Sequence, residues 1–238
     1  MVYHFDFPGL LPYWRQFLEG IRLTAELTLG SIAAGSVLGV LLAVARREGG
    51  RVLRGVCGAY VELLRNTPFI VQIFMLYFGL SSVGLQLSAA LAGVLALAFN
   101  VAAYSAEIFR AGMDSIEAGQ WEAAECLGLS KARIYWHVVL PPALERVYPA
   151  LTSQFVLMML MTSVVSQISA DDLTAIANNV QSMTFLSFET YIVVALIYVA
   201  MALALKTGCW AIGLILFPRR RALGGASFRE LVLRPVEA

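Results

Sequence analysis

Charge is scarce in this sequence. Asp, Glu, Lys and Arg make up 14% of its 238 residues and hydrophobic residues 59%, whereas about a quarter of an ordinary soluble domain is charged. The deficit excludes a water-facing globular chain and points to lipid. Cysteine is scarce too: Cys57, Cys126 and Cys209 stand far apart, without the paired spacing of a zinc or redox motif, and read as reduced structural thiols. The phosphate loop G-x-x-x-x-G-K-[ST] is missing, so the chain does not itself hydrolyse ATP in the usual way. The two histidines, His4 and His137, fall outside the apolar stretches. An intramembrane hydrolase needs a nucleophile and a base at membrane depth, which leaves that enzyme class a remote alternative. Residues 1–20 lack the basic start, apolar core and small-residue cleavage site of a secretory signal.

What is abundant is apolar length. Five stretches, 21–45, 67–85, 89–109, 148–168 and 191–217, approach or exceed the ~20 residues that carry a helix across a hydrocarbon core about 30 Å thick. The expected fold is an all-α membrane protein with five transmembrane helices in one domain, 21–217. An amphipathic stretch, 52–66, precedes the second span and reads as that helix's own first turns. Lysine and arginine sort the ends of the spans. RREGGRVLR (46–54), the segment from Arg110 through Lys131 and Arg133, and Arg219 to Arg221 all fall on one side. This places the N-terminus in the periplasm and the C-terminus in the cytoplasm, with Arg15 and Arg22 as outer exceptions. Residues 1–20, with an apolar face of Phe5, Phe7, Leu10, Leu11, Trp14, Phe17 and Leu18, are expected as a periplasmic amphipathic segment on the outer surface. The polar stretch 171–189 is expected as an ordered periplasmic loop with room for one short helix, and 218–238 as a basic cytoplasmic tail.

The cytoplasmic loop over 111–142 is long for a simple connection. Its segment 120–127, QWEAAECL, consists of strong helix formers, Gly128 follows where a helix would end, and Ser130 stands in a capping position before KARIYWHVVL. Pro141 and Pro142 are expected to stop this second piece. The spacing of Glu122, Ala123, Ala124, Gly128 and then Val138, Val139, Leu140, Pro141 resembles the EAA loop of permease subunits of binding-protein-dependent ABC importers, a MetI-like fold. VELLRNTPFIVQIFMLYFGL (61–80) is similar to the second-span signature of the polar amino acid branch, with Asn66 in place of its glycine, and AYSAEIFRAG (103–112) is similar to its entry into the loop. The resemblance covers about residues 15–217.

The resemblance implies a multi-pass permease of the bacterial inner (cytoplasmic) membrane that works in the lipid bilayer. Its implied partners are a cytoplasmic ABC ATPase dimer, a second permease subunit, identical or similar, and a periplasmic amino-acid-binding protein, with no nucleic acid. ATP and Mg would be bound by the ATPase, leaving no cofactor in this chain. Glu122, Ala123, Ala124, Gly128, Leu140 and Pro141 would couple it to that ATPase. The implied cargo is an amino acid, with methionine, an opine or a metal chelate as alternatives.

Strongly polar groups inside spans are costly and often functional. Asn100, Tyr104 and Glu107 lie at i, i+4 and i+7 and share a helix face. An amide at Asn100 can donate to a carboxylate and accept from an ammonium, or serve as glue between helices. Glu107 is expected to pair with Arg110 or Arg65. On the fourth span Gln154, Met158, Met161, Thr162 and Ser166 form a stripe flanked by Ser163 and Gln167. The branch usually carries K-D-T-S near 160–163, where this chain has LMTS. The missing charges suggest a neutral or varied substrate, or a heterodimer whose other half holds the charge. The candidate pathway residues are thus Thr67, Asn100, Tyr104, Gln154, Met158, Met161 and Thr162. Arg22 and Glu26 can pair on one face. Gly35 and Gly39 permit close helix contact, within the subunit or across a dimer. Lys206 lies about 16 Å along its helix from Phe217, beyond easy reach of the inner face.

Overall fold

The computed structural model describes residues 4–217; the tail expected over 218–238 lies outside the described residues. Within them every regular element is helical: α1 (Trp14–Glu48), α2 (Arg51–Arg65), α3 (Phe69–Ser82), α4 (Ala89–Asp114), α5 (Ala118–Cys126), α6 (Lys131–Arg133), α7 (Leu140–Met161), α8 (Leu173–Thr184) and α9 (Ser187–Leu216). A 3-10 segment, Pro8–Tyr13, precedes α1, a π-helical turn, Ile134–Val139, joins α6 to α7, and a second 3-10 segment, Thr162–Ile168, ends α7. Four helical runs among the described residues are long and apolar enough to cross a membrane, and the bent pair α2 and α3 adds a fifth if the two helices together make one span.

Helix α1 packs side by side with α4, and glycine sets the distance. A Cβ at Gly35 would lie 2.7 Å from the Ala98 carbonyl oxygen, and one at Gly39 2.8 Å from Ser105 Cβ. The G-x-x-x-G spacing therefore serves contact within the subunit. Successive contacts, Gly30 with Val94, Gly35 with Val101 and Gly39 with Ser105, show that α1 and α4 run parallel. Helix α7 returns antiparallel to α4, with Gly112 against Val147 near one end and Gly93 against Val165 near the other. Arg46, Arg47, Arg110 and Arg146 gather at the end where α1 and α4 finish, here termed the basic end.

Three expected boundaries are corrected. First, the segment expected to lie on the surface up to residue 20 does not end there: residues 14–20 are the first turns of α1. Leu10 and Phe17 are buried against Leu173, Ile176 and Val180, and the Asp6 amide donates to Glu189 Oε1 at 2.9 Å. The apolar face is thus shared between α8 and the surroundings rather than laid flat. Second, 52–66 does not run on as the first turns of the same helix as 69–82. It is a helix of its own, bent 109° from α3. Pro68 lacks an N–H and forces Thr67 out of the helical region, so the chain cannot pass straight through. Third, Pro141 and Pro142 do not end the second piece of the loop. They sit in the first turn of α7, after the π-helical turn, because a first turn has amides to spare and the wider turn leaves space for the rings. The run from Lys131 to Ile168 is continuous.

The expectation of one short helix in 171–189 is met by α8, whose first turn is capped by Asp172 accepting from the Ala175 amide at 3.0 Å. Glu189 belongs to α9.

Candidate functional site

Two groups of residues carry the candidate functions. At the basic end the loop after α4 forms a compact knob. Gly128 adopts φ +70 with open space around it, so glycine is needed there for the backbone and not for room. Ala124 is buried beside Phe109, Met113, Ile134 and Val139, while Glu122, Ala123, Gly128 and Pro141 are exposed and Leu140 is half-buried. The knob thus turns one face to its own bundle and one face out. Leu127 and Trp136 are 79% and 65% exposed beside it, a surface suited to a protein partner.

Charge pairs tie the knob's base together. Glu107 takes Arg46 at 2.8 Å and Arg110 at 3.0 Å, and Asp114 takes Arg110 at 2.8 Å and Arg47 at 3.3 Å. The expected Glu107–Arg110 pair is present, and Arg46 is an added partner from α1. Arg65 instead lies over the Tyr104 ring, 5.5 Å from its centroid.

The second group sits at the bend between α2 and α3. Gln72 Nε2 donates to the carbonyls of Leu64 (2.8 Å) and Thr67 (3.0 Å) and to the Thr67 hydroxyl (2.9 Å). The Gln72 oxygen accepts from Asn100 Nδ2 at 3.0 Å. Gln72 thereby satisfies carbonyls left open where α2 stops and fastens the bend to α4. Asn100 is 2% exposed and its Oδ1 has no hydrogen-bond partner. The structure brings Thr67, Asn100 and, through Arg65, Tyr104 to the same bend. Gln72 was not among the expected residues, although an amide inside the run FIVQIF is the signal that singled out Asn100.

The stripe on α7 is placed differently. Gln154, Met158 and Thr162 are buried within the subunit, Met161 packs beside the apolar cluster of Leu27, Ile73 and Leu97, and the Thr162 hydroxyl donates to the Met159 carbonyl. None of the four hydrogen-bonds to Gln72 or Asn100. The exposed side of α7 carries Ser153, Leu157 and Leu160, and Gln167 is exposed on the 3-10 segment that follows.

A helical bundle with four or five candidate membrane spans and a half-exposed two-part knob at its basic end fits a membrane transport subunit. Residues 35–216 match the family of the binding-protein-dependent transport system inner membrane component, and the chain belongs to that family. It is 35% identical over 199 residues to the probable glutamine ABC transporter permease protein GlnM of Bacillus subtilis (strain 168), covering 84% of this chain and 92% of that one. It is 36% identical over 200 residues to the octopine transport system permease protein OccM of Rhizobium meliloti, covering 79% and 82%. A crystal structure of an amino acid ABC transporter with histidines is similar with a TM-score of 0.81 at 35% identity, covering 89% of this chain and 99% of that one. The chain is thus a membrane permease of the binding-protein-dependent type.

Proposed function

We propose that this chain is one permease half of an importer of the bacterial inner membrane, oriented with its basic end in the cytoplasm, as the positive-inside rule requires. Two permease halves enclose the pathway. A periplasmic binding protein delivers an amino acid at the end bearing α8. A separate ATPase dimer, which holds the ATP and Mg, grips the knob formed by Glu122 to Gly128 and the turn leading to Leu140 and Pro141. The observation that carries this reading is the unbroken run from Lys131 to Ile168. One end of it is part of the knob and the other crosses the membrane, so a push on the knob is delivered to a span with no flexible joint between. Alternating access then follows from rocking of the bundles. The cargo contacts of this reading are Asn100, whose buried acceptor oxygen is left open, and Thr67 and Tyr104 beside the bend.

The opine relatives, OccM and the nopaline permease NocM of Agrobacterium fabrum (strain C58 / ATCC 33970), which is 32% identical over 203 residues, favour an opine as a second cargo reading. Uptake by proteoliposomes holding the permease, ATPase and binding protein, measured against a panel of amino acids and opines with and without ATP, separates the two. For coupling, Gly128→Asp is expected to insert normally, since Asp is among the side chains that tolerate φ +70, and to lose uptake, because a new charge sits on the gripped face. Normal uptake by that variant overturns the coupling role.

A further inference from the structure

We propose that Trp121 is the centre of a latch that makes α1 move together with the knob; this rests on the coupling role proposed above. Helices α4 and α7 are joined to the knob by the chain itself, whereas α1 reaches it only through side chains. Arg47, in the last turn of α1, places its guanidinium 4.6 Å from the centroid of the Trp121 ring and its Nη1 3.3 Å from Asp114. The next residue, Glu48, accepts a hydrogen bond from the hydroxyl of Tyr135, which belongs to the π-helical turn leading into α7. The Tyr135 ring meets Trp121 edge to face at 5.1 Å. The indole therefore stands between a cation from α1 and an aromatic ring from the base of α7.

The indole nitrogen is buried without a hydrogen-bond partner, so its ring surfaces do the holding. A residue needed only to fill this space could be aliphatic, but one that holds a guanidinium needs a π face. Without it, α1 stays tied to the basic end by partly exposed ion pairs, which are individually weak, by the Tyr135–Glu48 hydrogen bond and by the small apolar contact of Val40 and Ala43 with the knob's core. The knob then drives α4 and α7 past an α1 that lags behind, and the close seam at Gly35 and Gly39 resists the slide.

The test uses the whole assembly, permease with ATPase and binding protein in proteoliposomes, and reads solute moved per ATP hydrolysed. Trp121→Leu, which keeps apolar bulk and removes the ring, is expected to lower that ratio by about fivefold or more, the lower end of ordinary coupling between sites. Trp121→Phe is expected to recover most of it. Tyr135→Phe, which removes only the hydrogen bond to Glu48, gives a smaller fall and keeps the test alive should Trp121→Leu fail to assemble. Arg47→Gln combined with Trp121→Leu is expected to be no worse than the worse single variant, since both break one contact. A wild-type ratio in Trp121→Leu, or in Tyr135→Phe should that variant be the one read, or simple additivity in the pair, overturns the latch. Gly128→Asp measured alongside keeps the two ideas apart. Its normal uptake overturns the coupling role, whereas its failure beside a fully coupled Trp121→Leu overturns the latch alone.

Discussion

Asp172 is a carboxylate with no exposure at the head of α8, outside the spans. Burial pushes its pKa up to about 6, against the hydrogen bonds from the Ala175 and Thr174 amides and the Tyr198 hydroxyl, and the neighbouring Asp171 adds to the rise. An acid whose folded pKa lies above its unfolded value of 3.8 binds its proton more tightly when folded. Its contribution to stability is fully present below about pH 4 and is lost as pH rises through about 6. The subunit is thus expected to melt at a lower temperature at pH 7.5 than at pH 5, with an upper bound of ~3 kcal/mol from this group. Asp172→Asn stays neutral and still caps a helix. It should flatten the slope and melt higher than the parent at pH 7.5. Equal slopes in parent and variant exclude Asp172 as the source.

At the scale of the element, the α1–α4 seam separates glycines that matter from glycines that do not. A Cβ at Gly35 meets Val101 Cβ at 2.6 Å and a backbone oxygen at 2.7 Å, whereas at Gly58 on α2 it meets nothing within 4 Å. Gly35→Ala is expected to destabilise by about 1 to 3 kcal/mol through overpacking. Gly58→Ala should be neutral or gain about 0.5 to 1 kcal/mol of helix propensity. Thermal melting of the two purified variants checks the contrast, and equal losses would count against a tight seam. This seam was legible as a spacing in the sequence, but not its owner, because G-x-x-x-G does not say which helix lies opposite. The start of α4 at Ala89, the turn at Gly128 and the Glu107–Arg110 pair were legible because each depends on residues close in the chain. The prolines were only half legible. A missing N–H at Pro141 and Pro142 marks an irregularity, yet whether the chain stops or widens into a π-helical turn depends on the packing of Ile134 and Val139 in the knob. The polar stripe on α7 was legible as a face but not by what it faces: a helical period defines faces without saying which one looks inward, and here the Gln154 face is buried within the subunit.

For the whole molecule, the heights of the helices relative to one another bear on the depth of Lys206. Arg146 donates to the carbonyl of Ser115 at the end of α4, and Gly112 packs on Val147, so the region around Tyr148 is level with the last turns of α4. Tyr148 in turn donates to the Cys209 carbonyl at 2.6 Å, and its ring lies against Gly213. Residues 209–213 of α9 therefore stand at the height of the basic end, and Lys206, three residues or about 4.5 Å before Cys209, stands near the height of the Glu107 ion cluster. Measured along α9, 191–210 already gives the ~20 residues that a bilayer core needs, and Trp210 falls where an interfacial aromatic belongs. Lys206 can thus carry its ammonium to the headgroups along its own methylene stem, and the last residues of α9 leave the hydrocarbon, which agrees with Leu216 and Phe217 lining a cleft with Gln120, His137 and Pro141. Single cysteines in a background free of the three native thiols test this depth on the permease without its ATPase. Ile215→Cys is expected to react with a membrane-impermeant thiol reagent applied from the basic side, and Val199→Cys from neither side. Protection of position 215 as complete as that of position 199 would place Lys206 back inside the hydrocarbon and require a partner for it there.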